Sequence, residues 1–69
     1  MFPNLEAEQA RRGHTNAFVA EKLGVSRASY EKKKKIGCFK LKECICLANI
    51  YMASLDYLFS QEPTIRQTA

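Results

Sequence analysis

Arg27, Ala28, Glu31 and Lys32 match the edges of DNA base pairs in both type and spacing. An arginine can give guanine a bidentate pair of hydrogen bonds, and an alanine methyl can touch the thymine methyl. A glutamate can accept from the cytosine amino group, and a lysine can reach guanine or a phosphate. Glu31 follows Arg27 by one helical turn, so it can also hold that arginine in an ordinary surface pair worth ~0.3–0.5 kcal/mol. Asn16, Ser26, Ser29 and Lys35 are the candidates for phosphate contacts. They are joined by the free amides at the start of the helix that follows Thr15, because helix N-termini attract anions.

The segment from Thr15 to Glu31 must place these groups. It reads as a short helix, a glycine turn and a second short helix. Ala20 is small enough for close helix contact. Gly24 stands where the chain must adopt positive φ on leaving a helix, which glycine does without steric cost. Val25 can fill the corner, and Ser26 can cap the next helix. The outer face of that helix carries little apolar bulk. A helix, a tight turn and a polar second helix form the layout of a helix-turn-helix that reads the major groove.

The pattern predicts five helices and no strand. The first runs from Pro3 or Asn4 to Arg12, with Asn4 as a cap, Leu5 and Ala10 on its apolar side beside Phe2, and Gly13 as its stop. The second starts after Thr15 and ends at Leu23, with Val19, Ala20 and Leu23 inward. The third runs from Arg27 to Lys35, with Tyr30 as its main inward residue. Phe39 plugs the core from a loop over residues 36–40. The fourth helix runs from Lys40 to Met52, with an inward stripe of Leu41, Cys44, Leu47, Ala48 and Tyr51. Ser54 caps a short fifth helix whose Leu55, Leu58 and Phe59 point inward. Residues 1–60 thus form one all-α domain, and residues 61–69 read as a flexible polar tail.

The net charge of +4 is unevenly placed. Residues 1–26 sum to zero, residues 27–42 to +6 and residues 43–69 to −2. The excess sits on and just after the proposed reading helix, where it attracts polyanions and makes binding sensitive to salt. Lys33 and Lys34 are expected to lay their stems over the core and keep their charges in water.

Other chemistries find no support. The three cysteines, Cys38, Cys44 and Cys46, and the single His14 do not make a four-ligand zinc pattern. Cys44 reads as core, Cys38 as the one thiol placed for reactivity, and the odd count fits a reducing compartment. No nucleophile–histidine–acid spacing and no phosphate loop is present, so neither an enzyme nor a bound cofactor or metal is expected. No stretch reads as a secretory signal or a membrane span.

With these elements placed, the chain resembles the Cro/phage-repressor helix-turn-helix family, also called the XRE family. The resemblance covers residues 1 to about 60. It rests on Ala20-Glu21-Lys22-Leu23-Gly24-Val25-Ser26-Arg27 and on Ser54-Leu55-Asp56-Tyr57-Leu58-Phe59 at the correct separation. The opening Met1-Phe2-Pro3-Asn4-Leu5-Glu6-Ala7-Glu8 is similar to small phage-type regulators of Gram-positive bacteria. The resemblance implies a lambda-repressor-like fold of five helices and a cytoplasmic transcription repressor, bacterial or phage-encoded, that often acts as a dimer.

Three departures from the family pattern stand out. Asn16 replaces a glutamine and has a shorter reach. Lys33 and Lys34 replace an aromatic–glutamate pair, and Gln9 replaces the arginine that pairs with that glutamate. Both partners of an ion pair are therefore missing together, which leaves no unpaired buried charge. Phe18 replaces an exposed acid and suggests a contact surface.

Together these readings predict a sequence-specific binder of double-stranded DNA that represses by occluding an operator. Ile45 and Met52 lack a core role, and Tyr57 is expected to face outward. Those three side chains form an expected homodimer interface, assembled free or only on DNA. The alternative is a protein-binding adaptor on the same fold, such as an antirepressor or an antitoxin-like partner.

Overall fold

Thr15, Ser26 and Ser54 each leave the chain extended and then start a helix. Their hydroxyls accept from the backbone N–H groups of Phe18, Ser29 and Tyr57, each at 3.1 Å. This satisfies amides that the first helical turn cannot pair itself. Gly24 and Gly37, both at φ +75°, end the helices before them in the left-handed region. In the computed structural model, which describes residues 1–62, these signals bound five helices. They are α1 (Pro3–Arg11), α2 (Asn16–Leu23), α3 (Arg27–Ile36), α4 (Leu41–Tyr51) and α5 (Leu55–Leu58), with no strand among the described residues. Residues 63–69 of the expected tail lie outside the described residues.

α2 packs most extensively on α3, α4 packs on α2 and α5, and α1 packs on α5. Phe2, Leu5, Val19, Ala20, Tyr30, Leu47, Tyr51 and Leu58 make the core. Phe39 and Phe59 close one end of it, with ring centroids 5.9 and 5.1 Å from that of Phe2. The expectation that Phe39 plugs the core is met.

Five side chains lie where the helical pattern did not put them. Asn4 is not a cap: it is buried inside α1, and its Nδ2 donates to the Tyr57 carbonyl at 2.8 Å. Ala10 is exposed, and the polar Glu8 and Gln9 take the buried side of α1. Leu41 is 70% exposed: it is the first residue of α4, where no preceding turn continues the stripe, and Glu43 is buried instead. Leu55 is also exposed. Tyr57 turns inward and donates its hydroxyl to Glu8 Oε2 at 2.8 Å, so it does not face outward. In a helix of only four residues, one turn offers no periodicity to separate Leu55 from Tyr57.

Candidate nucleic-acid interface

α3 divides its side chains sharply. Arg27, Ala28, Lys32 and Lys35 are exposed on its outer side, and Tyr30 and Lys34 are buried on its inner side. Glu31 and Ser29 lie half-buried between them. Ser26 serves as the expected cap and stays exposed.

Arg27, Glu31 and Asn16 come together in a chain of hydrogen bonds. Arg27 Nη1 donates to Glu31 Oε2 at 3.2 Å, and Asn16 Nδ2 donates to the same oxygen at 3.1 Å. Glu31 thus takes the second of its two expected roles and holds the arginine. Asn16, expected on phosphate, spends its side chain on this network while its backbone opens α2.

The chain continues inward through Lys34, and here the sequence expectation fails. The Lys34 ammonium is not in water. It donates to Glu6 Oε1 and Asn16 Oδ1, both at 2.8 Å, and to Gln9 Oε1 at 3.4 Å. It also lies 4.9 Å from the centre of the Tyr30 ring, where the π-face attracts a cation. A buried charge therefore does occupy the α1–α3 contact, with Glu6 as its partner. Lys33 is tied as well, at 3.2 Å from Glu43 Oε1 with both side chains largely buried. Lys34 follows Tyr30 by four and Glu6 precedes Gln9 by three, so each couple shares a helical face, but the meeting of the two faces belongs to the fold.

Tyr30 donates its hydroxyl to Gln9 Oε1 at 2.8 Å. Burial raises its pKa far above the ordinary value, and the neighbouring Tyr51 and Glu6 add to the rise, so it remains a donor. Burial also raises Glu43, but the Lys40 amide and the Lys33 ammonium outweigh this and hold the carboxyl below its usual range. Burial, with Glu43 beside it, raises the Cys44 thiol, which keeps it protonated and unreactive.

With Lys33 and Lys34 paired internally, the free positive edge is smaller than the +6 block suggested. It comprises Lys32 and Lys35 on α3 together with Lys40 and Lys42. The last two rim an open groove of about 410 Å³ against Leu23 and Val25. Ile45 and Met52 are exposed as expected, at 48% and 81%. Phe18 is 40% exposed, with the His14 ring 4.5 Å away and Lys22 Nζ 5.3 Å from its centre. Among the described residues, no cluster of side chains is suited to hold a metal and no helix is long and apolar enough to cross a membrane. The chain matches no protein-family model, no characterised protein and no solved structure.

Proposed function

We propose that this chain is a sequence-specific double-stranded DNA-binding regulator with a lambda-repressor-like arrangement of its five helices. α3 would enter the major groove and repress transcription by occluding an operator. One observation carries the reading: α3 exposes Arg27, Ala28, Lys32 and Lys35 on its outer side, with Arg27 already tethered by Glu31. Side chains long enough to reach base edges stand on a helix held from behind, which is what direct readout requires.

The test is selection of duplexes from a random pool, followed by salt titration of the selected and the random DNA. Selected DNA should bind more tightly at every salt concentration, and both affinities should fall as salt rises. Arg27→Ala should cost about 1–3 kcal/mol and relax preference at one base, whereas Lys35→Ala should weaken all sequences alike. Equal affinity for selected and random duplex would end the reading.

A second copy of the chain fits the exposed stripe of α4. Leu41 and Ile45 lie one turn apart on that helix and Met52 follows as its C-cap; they are 70%, 48% and 81% exposed. Met52 holds a left-handed backbone at φ +49°, which a non-glycine side chain adopts only at a cost of ~1–2 kcal/mol. This stripe replaces the interface that included Tyr57. Ile45→Glu should convert a dimer to a monomer in sedimentation. A parent that stays monomeric alone and binds DNA as a single copy would remove the dimer.

The adaptor alternative draws on the exposed Phe18. It loses its other support, since Lys34 and Glu6 supply the α1–α3 tie that the sequence lacked in its usual form.

A further inference from the structure

We infer that Lys34, buried on the inner side of α3, is a positioning residue for base readout: its ammonium fixes the orientation of the Asn16 amide and, through it, Glu31 and Arg27. The inference rests on the DNA-reading function proposed above.

The argument begins with valence. An ammonium has three donors and no acceptor, so every polar atom facing it must be an acceptor. Three oxygens do so: Glu6 Oε1, Asn16 Oδ1 and Gln9 Oε1. The Lys34 side chain is 9% exposed, so water has little room to substitute for any of them. Gln9 Oε1 also accepts from Tyr30, which turns Gln9 Nε2 toward Asn16 Oδ1 at 2.8 Å and the His14 carbonyl at 3.1 Å. Asn16 Oδ1 thus meets two donors, and its nitrogen has to point the other way.

On that other side stands Glu31 Oε2. A reversed Asn16 would set its carbonyl oxygen against this carboxylate and its NH2 group against the ammonium. Both contacts would be repulsive, so the polarity of Lys34 is carried across the amide. Glu31 Oε2 then accepts from Asn16 and Arg27 together. Arg27 is 66% exposed and would otherwise sample many rotamers. A group inside the fold therefore biases a group at the DNA surface that it never touches.

The experiment compares Lys34→Met, Lys34→Arg, Asn16→Ala and the double variant Lys34→Met/Asn16→Ala on selected and single-base-altered duplexes. Lys34→Met should reduce discrimination at the base read by Arg27 by about two- to thirtyfold. Lys34→Arg keeps donor-only polarity and should retain the parent's preference. Asn16→Ala should relax the same base, and Lys34→Met should add nothing in that background. In the DNA-free protein, the Asn16 side-chain NH2 resonances should move in Lys34→Met and stay near the parent's in Lys34→Arg. Should Lys34→Met fail to fold, Lys34→Gln must show the same relaxation, because it adds an acceptor beside the donor.

Uniform weakening of all duplexes by Lys34→Met, with base preference kept, would reduce Lys34 to a source of charge and overturn the inference. Additive losses in the double variant would also overturn it. If the parent itself shows no base preference, the DNA-reading function fails first. Unmoved Asn16 resonances in Lys34→Met would then count separately against the positioning role.

Discussion

The two ends of α1 are fastened by opposite means. At its start, Phe2 and Leu5 enter a cluster of rings and aliphatic side chains that includes Phe39, Phe59 and Leu58. Towards its end, Glu8 accepts from Tyr57 and Arg11, and Gln9 bonds to Tyr30, His14, Asn16 and Lys34. Apolar burial is roughly proportional to area and carries no direction. Hydrogen bonds fix which atom faces which. The first end therefore supplies mainly stability, and the second mainly geometry. That geometry is delivered where α3 meets the proposed DNA surface.

The largest expected effect lies at the apolar end. Leu5 is fully buried, and its truncation to alanine should cost ~2–5 kcal/mol. A chain of this size has only ~3–10 kcal/mol in total, so Leu5→Ala should leave little folded protein at ordinary temperature. Thermal unfolding by circular dichroism measures this. A transition within a few degrees of the parent's would show that the ring cluster does not hold α1.

Tyr30→Phe is the next step, because it removes one polar atom and keeps the ring. Gln9 Oε1 would keep Lys34 as a donor, so no acceptor is orphaned and the loss should be about 1 kcal/mol. Its mark on base preference should exceed its mark on stability, since Gln9 loses the stronger of its two guides. If Tyr30→Phe destabilised as much as Leu5→Ala, the division between a stabilising end and an orienting end would collapse.

The sequence shows these regions unequally. Thr15, Gly24, Ser26 and Ser54 were readable because a cap or a turn needs only its own few residues. Val19, Ala20, Tyr30, Leu47 and Leu58 were readable because helical periodicity marks a covered face. Leu41 and Ala10 were misread because they sit on end turns, where the neighbouring layer decides coverage and periodicity does not. Tyr57 was misread because its helix is one turn long.

Lys34 and Glu43 were missed for another reason. A charged residue read alone belongs in water, and only the fold reveals its partner. A signal was nevertheless available for Glu43. It follows Lys40 by three at a helix start, where a glutamate can reach back to the capping amide, and it does so at 2.9 Å. At the candidate interface, Arg27, Ala28, Lys32 and Lys35 emerged on the outer side as expected. The pairing of Asn16 with Glu31, and of both with the interior, belonged to the tertiary structure.

The smallest expected effect tests whether the second polar tie of α3, from Lys33 to Glu43, follows the same logic. The Glu43 carboxyl is held below its unfolded value of 4.5. A lowered folded pKa means that the folded state favours the ionised form, so the stabilisation is complete above about pH 4.5 and is lost as pH falls below it. Glu43→Gln should therefore unfold at a lower temperature than the parent near pH 7, by an amount equivalent to about 1 kcal/mol. The gap should begin to narrow as pH falls below about 4.5 and should go on narrowing until the parent's carboxyl is protonated in the folded state as well. The difference between the two proteins isolates this group, because the other carboxylates titrate in both. A gap that stays constant as pH falls from about 7 to well below 4.5 would mean that neither the Lys33 ammonium nor the Lys40 amide favours the ionised carboxyl in the folded state, and that Glu43 stabilises through its packing. The Lys33 ion pair would then be a consequence of the α3–α4 packing, and the orienting role of charge would be confined to Lys34.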